Sequence, residues 1–260
     1  MTTEIALFDS HCHFDFDVFA GDFDAHLSQA KQAGVKRILI PAIGKSNWSR
    51  LESLSRRYNQ IDWALGCHPY FLSKSSIEQV DHIVTHFHTT HTKPIAIGEC
   101  GLDKMVEVDF ALQRQVLQSH LTAANELQLP VVLHCRKAHN DLLHILRQQP
   151  AQFGGILHGF SGSFQQAMQF VEKGLLIGVG GVITYPRANK TRNAISELPL
   201  ECIALETDAP EMPINHFQGQ PNHPKRLPVI LSTLSELKQI EKANDCAKNL
   251  AKHHFSVLKM

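Results

Sequence analysis

The sequence predicts a (β/α)8 TIM barrel whose active residues sit at the C-terminal ends of the strands, and three observations carry that expectation. Strand-like apolar runs alternate with helix-like runs along the whole chain. The length, 260 residues, is long for an ordinary domain but normal for one α/β barrel. Six side chains able to ligate a metal, His11, His13, Glu99, His134, His158 and Asp208, each follow a short apolar run. A doubly wound open sheet has the same alternation. It would not easily gather residues from strands one, four, five, six and eight around one point, whereas a closed barrel does.

In chain order, Ile5-Ala6-Leu7-Phe8 reads as strand one, followed by a helix near 22–33 that Gly34 closes. Strand two is expected over Val35–Pro41, a helix near 46–58, and strand three over 61–66. A helix near 76–91 precedes strand four at 94–98. In the segment 107–128, Phe110, Leu117, Leu121, Ala124 and Leu127 recur at helical spacing, and Leu129-Pro130 ends the helix. Val131-Val132-Leu133 is strand five. Short helices near 138–149 and 163–173 flank strand six at 155–158, and Leu175–Val179 is strand seven. Strand eight is expected over 202–206, with closing helices near 222–238 and 241–254. Neither an internal repeat nor a low-complexity linker interrupts the pattern, so residues 1–260 are expected to form one domain.

Composition narrows the function classes. Lys plus Arg and Asp plus Glu number 25 each, so no global basic field draws in polyanions. A nucleic-acid substrate would have to be gripped locally and would favour short or single strands. With 43% hydrophobic residues the chain can bury a large core. The opening Met1-Thr2-Thr3-Glu4 lacks the basic, apolar character of a signal peptide, and no stretch approaches a membrane span. Six cysteines occur without a CxxC pair. Cys12, Cys100 and Cys135 each neighbour a candidate ligand and on extended backbone face away from it. They read as packed thiols in a reduced, cytoplasmic protein with no obligate protein partner evident.

The candidate ligands differ in how much each segment says alone. Alternation in His11-Cys12-His13 puts both imidazoles on one side. His86-Phe87-His88 has the same spacing but lies in an expected helix, where residues two apart do not share a face, so it is not expected to bind a metal. Glu99, in Ile97-Gly98-Glu99-Cys100-Gly101-Leu102-Asp103, is a carboxylate able to bridge two cations. His134 and His158 each end a strand. In Glu206-Thr207-Asp208-Ala209-Pro210, two acids one residue apart follow an apolar strand. Burying both is costly unless cations or hydrogen-bond donors neutralise them. Asp208 suits a ligand that also orients attacking water. Glu206 suits a supporting role toward a histidine or a substrate group, or else a structural salt bridge.

These motifs, together with Gly66-Cys67-His68-Pro69 and His158-Gly159-Phe160-Ser161-Gly162, resemble the TatD family of metal-dependent hydrolases over essentially the whole chain. The tracts Ile177-Gly178-Val179-Gly180-Gly181 and Phe217-Gln218-Gly219-Gln220-Pro221-Asn222 match one branch of it. Lys104-Met105-Val106-Glu107 departs from the aromatic-containing stretch frequent after Gly-Leu-Asp, and Cys67 and Cys100 replace other small or apolar residues. The resemblance implies a TIM barrel with a binuclear centre of Zn, Mg or Mn. His11, His13, Glu99 and Asp208 would hold one cation, and Glu99, His134 and His158 the other. Asp208 and Glu99 would be the catalytic carboxylates. Two cations about 3.5–4 Å apart lower the pKa of a shared water toward neutrality.

The activity implied is a deoxyribonuclease acting on DNA or oligonucleotides by a metal-activated hydroxide, including 3′-5′ exonuclease action on single strands. An amide, lactone or aminoacyl-ester hydrolase using the same site is the alternative. For phosphate binding, Arg136, Lys137, Arg187 and Arg192 are candidates on expected loops, since guanidinium forks match phosphate oxygens. His68 and Tyr70 could stack on or hydrogen-bond a nucleotide, although His68-Pro69 also serves as a turn former. Asp103 is expected to support its loop. His139 and His223 receive no role.

Overall fold

The computed structural model describes residues 6–257, and side chains through residue 250. Ile5 of the expected first strand, and the ends of the expected 1–260 domain at 1–5 and 258–260, lie outside the described residues. Eight parallel strands lie side by side in chain order: β1 (Leu7–Asp9), β2 (Val35–Pro41), β3 (Ile61–Leu65), β4 (Ala96–Asp103), β5 (Val131–Arg136), β6 (Gly155–Leu157), β7 (Leu175–Val179) and β8 (Ile203–Leu205). Just past the strand ends, Ser10 N–H donates to the Leu205 carbonyl and Asp208 N–H to the His11 carbonyl, both at 2.9 Å. These bonds draw β8 against β1, and the sheet is a nearly closed TIM barrel.

The apolar runs are continuous because both faces of a parallel sheet are buried. One residue from each strand fills the barrel interior: Phe8, Leu39, Ala64, Ala96, Val132, Ile156, Leu176 and Ala204. A larger core, including Ile38, Ile40, Trp63, Leu121 and Leu143, packs the outer face of the sheet against the helices. Burying one such leucine contributes roughly 1.5–3 kcal/mol.

The interior layer sets the height of the site. Side chains two residues apart on a strand share a face, so Val132, Ile156 and Ala204 are followed on the inner face by His134, His158 and Glu206. Glu99 does not obey that count, because stepping by twos from Ala96 reaches Gly98. Ile97 pairs with Val131 and Cys100 with Leu133, so β4 carries one extra residue there. That bulge turns Glu99 inward. It requires glycine at position 98, where φ is +148° and a Cβ would lie 2.5 Å from the Val132 carbonyl oxygen.

Several boundaries differ from expectation. β4 runs on through Asp103, because the bulge restarts its pairing with β5. The helix expected near 76–91 is two short helices, Ser76–Asp81 and Ile83–Thr89, meeting at His82. The helix expected from 107 begins at Phe110, where the Asp109 carboxylate accepts the Leu112 N–H at 2.8 Å. Strand eight begins at Ile203 because Leu200–Cys202 forms a 3-10 turn. Before the helix Leu227–Leu237 a second 3-10 turn, Pro224–Arg226, occupies the start expected at 222. A helix at Asn189–Glu197 was not anticipated, since its sequence is mostly polar.

Candidate metal centre

Glu99 lies at the middle of the site, wholly buried, and its two carboxylate oxygens face different partners. Oε2 is 3.1 Å from His11 Nε2 and 3.5 Å from His13 Nε2. Asp208 Oδ1 lies 3.5 and 3.9 Å from those same nitrogens. Oε1 is 2.8 Å from His158 Nε2, 3.1 Å from His134 Nδ1 and 3.3 Å from His68 Nε2. The His11 and His158 rings stack at 3.8 Å and join the two poles.

This packing suits divalent cations better than it suits hydrogen bonds. His11 Nε2 and Glu99 Oε2 are buried and make no hydrogen bond despite their separation of 3.1 Å. Leaving such groups unpaired costs about 1–3 kcal/mol each. Three overlapping groups, His11 with His158 and Asp208, His11 with His13 and Glu99, and His68 with Glu99 and His134, each keep their ligand atoms within 4.8 Å. Imidazole nitrogens mixed with carboxylate oxygens are a donor set for Zn or Mn.

The protonation states fit the same use. Burial lowers the pKa of His11, His13 and His158, which favours the unprotonated nitrogens that a cation needs. Burial would raise Glu99, but His158, His68 and His11 outweigh it and hold the carboxylate well below its usual range. Burial lifts Asp208 to about 7, with His11 opposing the shift. Burial would also lower His134, yet its hydrogen bonds to Asp103 and Glu99 prevail and lift it to about 9. A cation at Nδ1 must therefore displace a proton there.

Asp103 aims that ring. His134 Nε2 lies 3.2 Å from Asp103 Oδ2, while Asp103 Oδ1 accepts the Met105 N–H at 2.7 Å. A carboxylate holding the far nitrogen of a ligating imidazole fixes both tautomer and orientation. Replacing Asp103 with Asn is expected to weaken cation affinity about 10–100-fold, read by calorimetric titration; unchanged affinity would refute the role.

Above the carboxylate and imidazoles opens a cavity of about 940 Å³. Tyr70 and Phe71 line it, 62% and 49% exposed, as do the cations of Arg136, Lys137 and Lys190.

The model of the family described as TatD related DNase matches residues 8–256. The chain belongs to the TatD family. It is a metal-dependent hydrolase of that family, 43% identical over 250 residues to the uncharacterized metal-dependent hydrolase YjjV of Escherichia coli, with 96% of each chain covered. The crystal structure of YjjV superposes with a TM-score of 0.92 at 41% identity, covering 99% of this chain and all of that one. The 3′-5′ ssDNA/RNA exonuclease TatD of Salmonella typhimurium is 33% identical over 238 residues, covering 88% of this chain and 90% of that protein.

In this TatD-family site the six candidates His11, His13, Glu99, His134, His158 and Asp208 converge. Glu206 sits beneath them, where its Oε1 accepts the Gly159 N–H at 2.6 Å and fixes the loop after His158. No Lys or Arg pairs with it among the described residues. Burial and the charge of Asp208 push its pKa well up, and Gly178 makes room for it, since a Cβ there would lie 2.4 Å from Glu206 Oε2.

His68, expected to meet substrate or to shape a turn, caps its turn and also points inward at the ligand cluster. Arg187 and Arg192 do not line the cavity: the Arg187 guanidinium lies over the Tyr185 ring at 5.6 Å, and Arg192 donates to the Ile183 carbonyl from the unanticipated helix. Lys190, on the same helix, reaches the cavity instead. Cys135 borders the cavity but packs against the outer core, where Cys12 also lies, so both turn from the ligand cluster as expected. His139, given no role, also lines the wall.

Asp9 was missed altogether. Its carboxylate accepts the Thr207 N–H at 2.9 Å and the Thr207 hydroxyl at 2.6 Å, tying β1 to the segment that carries Asp208. The available signal was an acid placed directly after an apolar strand.

Proposed function

We propose that this TatD-family hydrolase removes nucleotides from the 3′ end of single-stranded DNA at a two-cation centre. The observation that supports this best is a single cavity combining three elements: Glu99 with a set of imidazoles at each oxygen, exposed aromatic rings, and three basic side chains. Aromatic faces stack on bases, and Arg136, Lys137 and Lys190 can grip phosphates locally in a chain whose net charge is zero. Relatives about a third identical carry the name 3′-5′ ssDNA/RNA exonuclease.

In this reading His11, His13, Glu99 and Asp208 hold one cation, and Glu99, His134 and His158 hold the other. Bound there, divalent cations supply Lewis acidity to a scissile phosphate and make water a stronger acid. Asp208, whose carboxylate faces the same imidazole nitrogens as Glu99, is placed to accept the proton of the attacking water and return it to the leaving oxygen. Asp103 keeps His134 oriented, and the buried floor of Ile156 and Val132 keeps water from entering beneath. Six free cysteines accord with a cytoplasmic setting, and among the described residues no helix is long and apolar enough to cross a membrane.

The test is to strip the protein of metal, restore Mg, Mn or Zn, and supply end-labelled single-stranded DNA beside a panel of ester, lactone and amide substrates. Stepwise release of mononucleotides from the 3′ end is expected. Inert DNA together with turnover of a carboxylic ester or amide would overturn the reading.

A further inference from the structure

We propose that His68 is a further catalytic residue, a neutral imidazole whose Nε2–H donates a hydrogen bond to an oxygen of the scissile group, and is not a ligand of the cations. This rests on the hydrolase reading of the same centre. His68 belongs to the group that could hold a metal with Glu99 and His134, but its backbone surroundings fix which nitrogen carries the proton. His68 caps the 3-10 turn Pro69–Phe71, and its Nδ1 accepts the Tyr70 N–H at 3.0 Å. A nitrogen that accepts from a backbone amide has its lone pair occupied and bears no hydrogen. The ring proton is therefore on Nε2, which has no free lone pair to offer a metal.

The same local motif recurs in the chain. His223 caps the turn Pro224–Arg226, its Nδ1 accepts the Lys225 N–H at 3.0 Å, and its Nε2 lies 3.2 Å from His26 Nδ1. There the cap orients an N–H toward a nearby acceptor. At His68 the equivalent N–H points into the candidate centre, 3.3 Å from Glu99 Oε1 and 3.2 Å from His134 Nδ1.

A cation held by Glu99 and His134 would take up the Glu99 oxygen lone pair that His68 faces when no cation is bound. The Nε2–H is then a fixed donor beside the cations, on the wall of the cavity that receives substrate. A preorganised donor of this kind stabilises charge that develops on an oxygen during attack. No proton changes owner in this role. Because the cap belongs to the turn that presents Tyr70 and Phe71, one short segment would align both a base and the donor.

Two measurements test it. Nitrogen-15 spectra of the imidazoles, recorded metal-free and with Zn, are expected to place the His68 proton on Nε2 in both states; a Zn-coupled Nε2 would overturn the proposal without reference to substrate. His68→Ala and His68→Gln are then compared with the wild type for metal content and kcat. Both variants are expected to retain the wild-type metal content. His68→Ala is expected to lose kcat by about 10²-fold, and His68→Gln, whose amide N–H stands where Nε2 was, to recover at least about tenfold of that loss, as befits a hydrogen-bond donor. Loss of a cation equivalent in His68→Ala, or kcat within about twofold of the wild type, well short of a donor's usual effect, would overturn it. Failure of the nuclease reading appears separately, as a wild type inert toward DNA, and the variants are then compared on the ester or amide it does hydrolyse.

Discussion

Asp208→Asn is expected to lower kcat by about 10²–10⁴-fold, the range for loss of a positioned general base, when assayed at saturating divalent metal on whichever substrate the wild type turns over. The side chain keeps its size, and asparagine tolerates the backbone at this position, where φ is 52°. What disappears is a carboxylate able to accept a proton. The same variant makes a stability prediction with a definite sign. Burial raises Asp208 in the folded chain from the ordinary 3.8 to about 7. Its contribution is therefore fully present below the unfolded value and is lost as pH rises toward 7. Metal-free Asp208→Asn should thus melt at or above the wild type at pH 8, with the gap closing as pH falls toward 4. Near-wild-type kcat would refute the catalytic role, and a metal-free variant melting well below the wild type at pH 8 would refute the electrostatic account.

Glu99→Gln is expected to abolish cation uptake at both poles together, since one carboxylate faces both sets of imidazoles. An amide offers one neutral oxygen where there were two sharing a negative charge. A ligand at 100 times its dissociation constant stabilises a folded protein by about 2.7 kcal/mol. The wild type should therefore melt at a higher temperature when Zn or Mn is added, whereas Glu99→Gln should show no rise and no turnover. A variant whose melting temperature still climbs with metal as the wild type's does would show that Glu99 is not shared.

How much of this was legible in the chain depends on the kind of physics each residue obeys. The strands stood out because parallel strands buried on both faces must be apolar throughout, as Ile38-Leu39-Ile40 is. His134 and His158 were readable for a related reason: each lies two residues past an interior side chain, Val132 or Ile156, so alternation alone places it. Glu99 was picked out by its position after an apolar run, yet its inward aim depends on a bulge that period-two counting does not anticipate. The direction of His68 arises from a hydrogen bond to a backbone amide two residues on, which residue types do not announce. Arg187 and Arg192 were misplaced because Asn189–Glu197 coils into a helix of weak apolar signal, sending Lys190 rather than the arginines to the cavity. Asp9 and Thr207 meet only because β8 returns beside β1. Contacts of that kind, here between residues 198 apart in the chain, need the closed barrel to be seen.

The most direct test of the account is the number of divalent ions the chain takes up. Metal-free protein dialysed against Mn or Zn and analysed for metal per chain should carry two equivalents, falling to one when His134 and His158 are both replaced by alanine. A wild type that saturates at one equivalent or none would contradict a Glu99 shared between two cations.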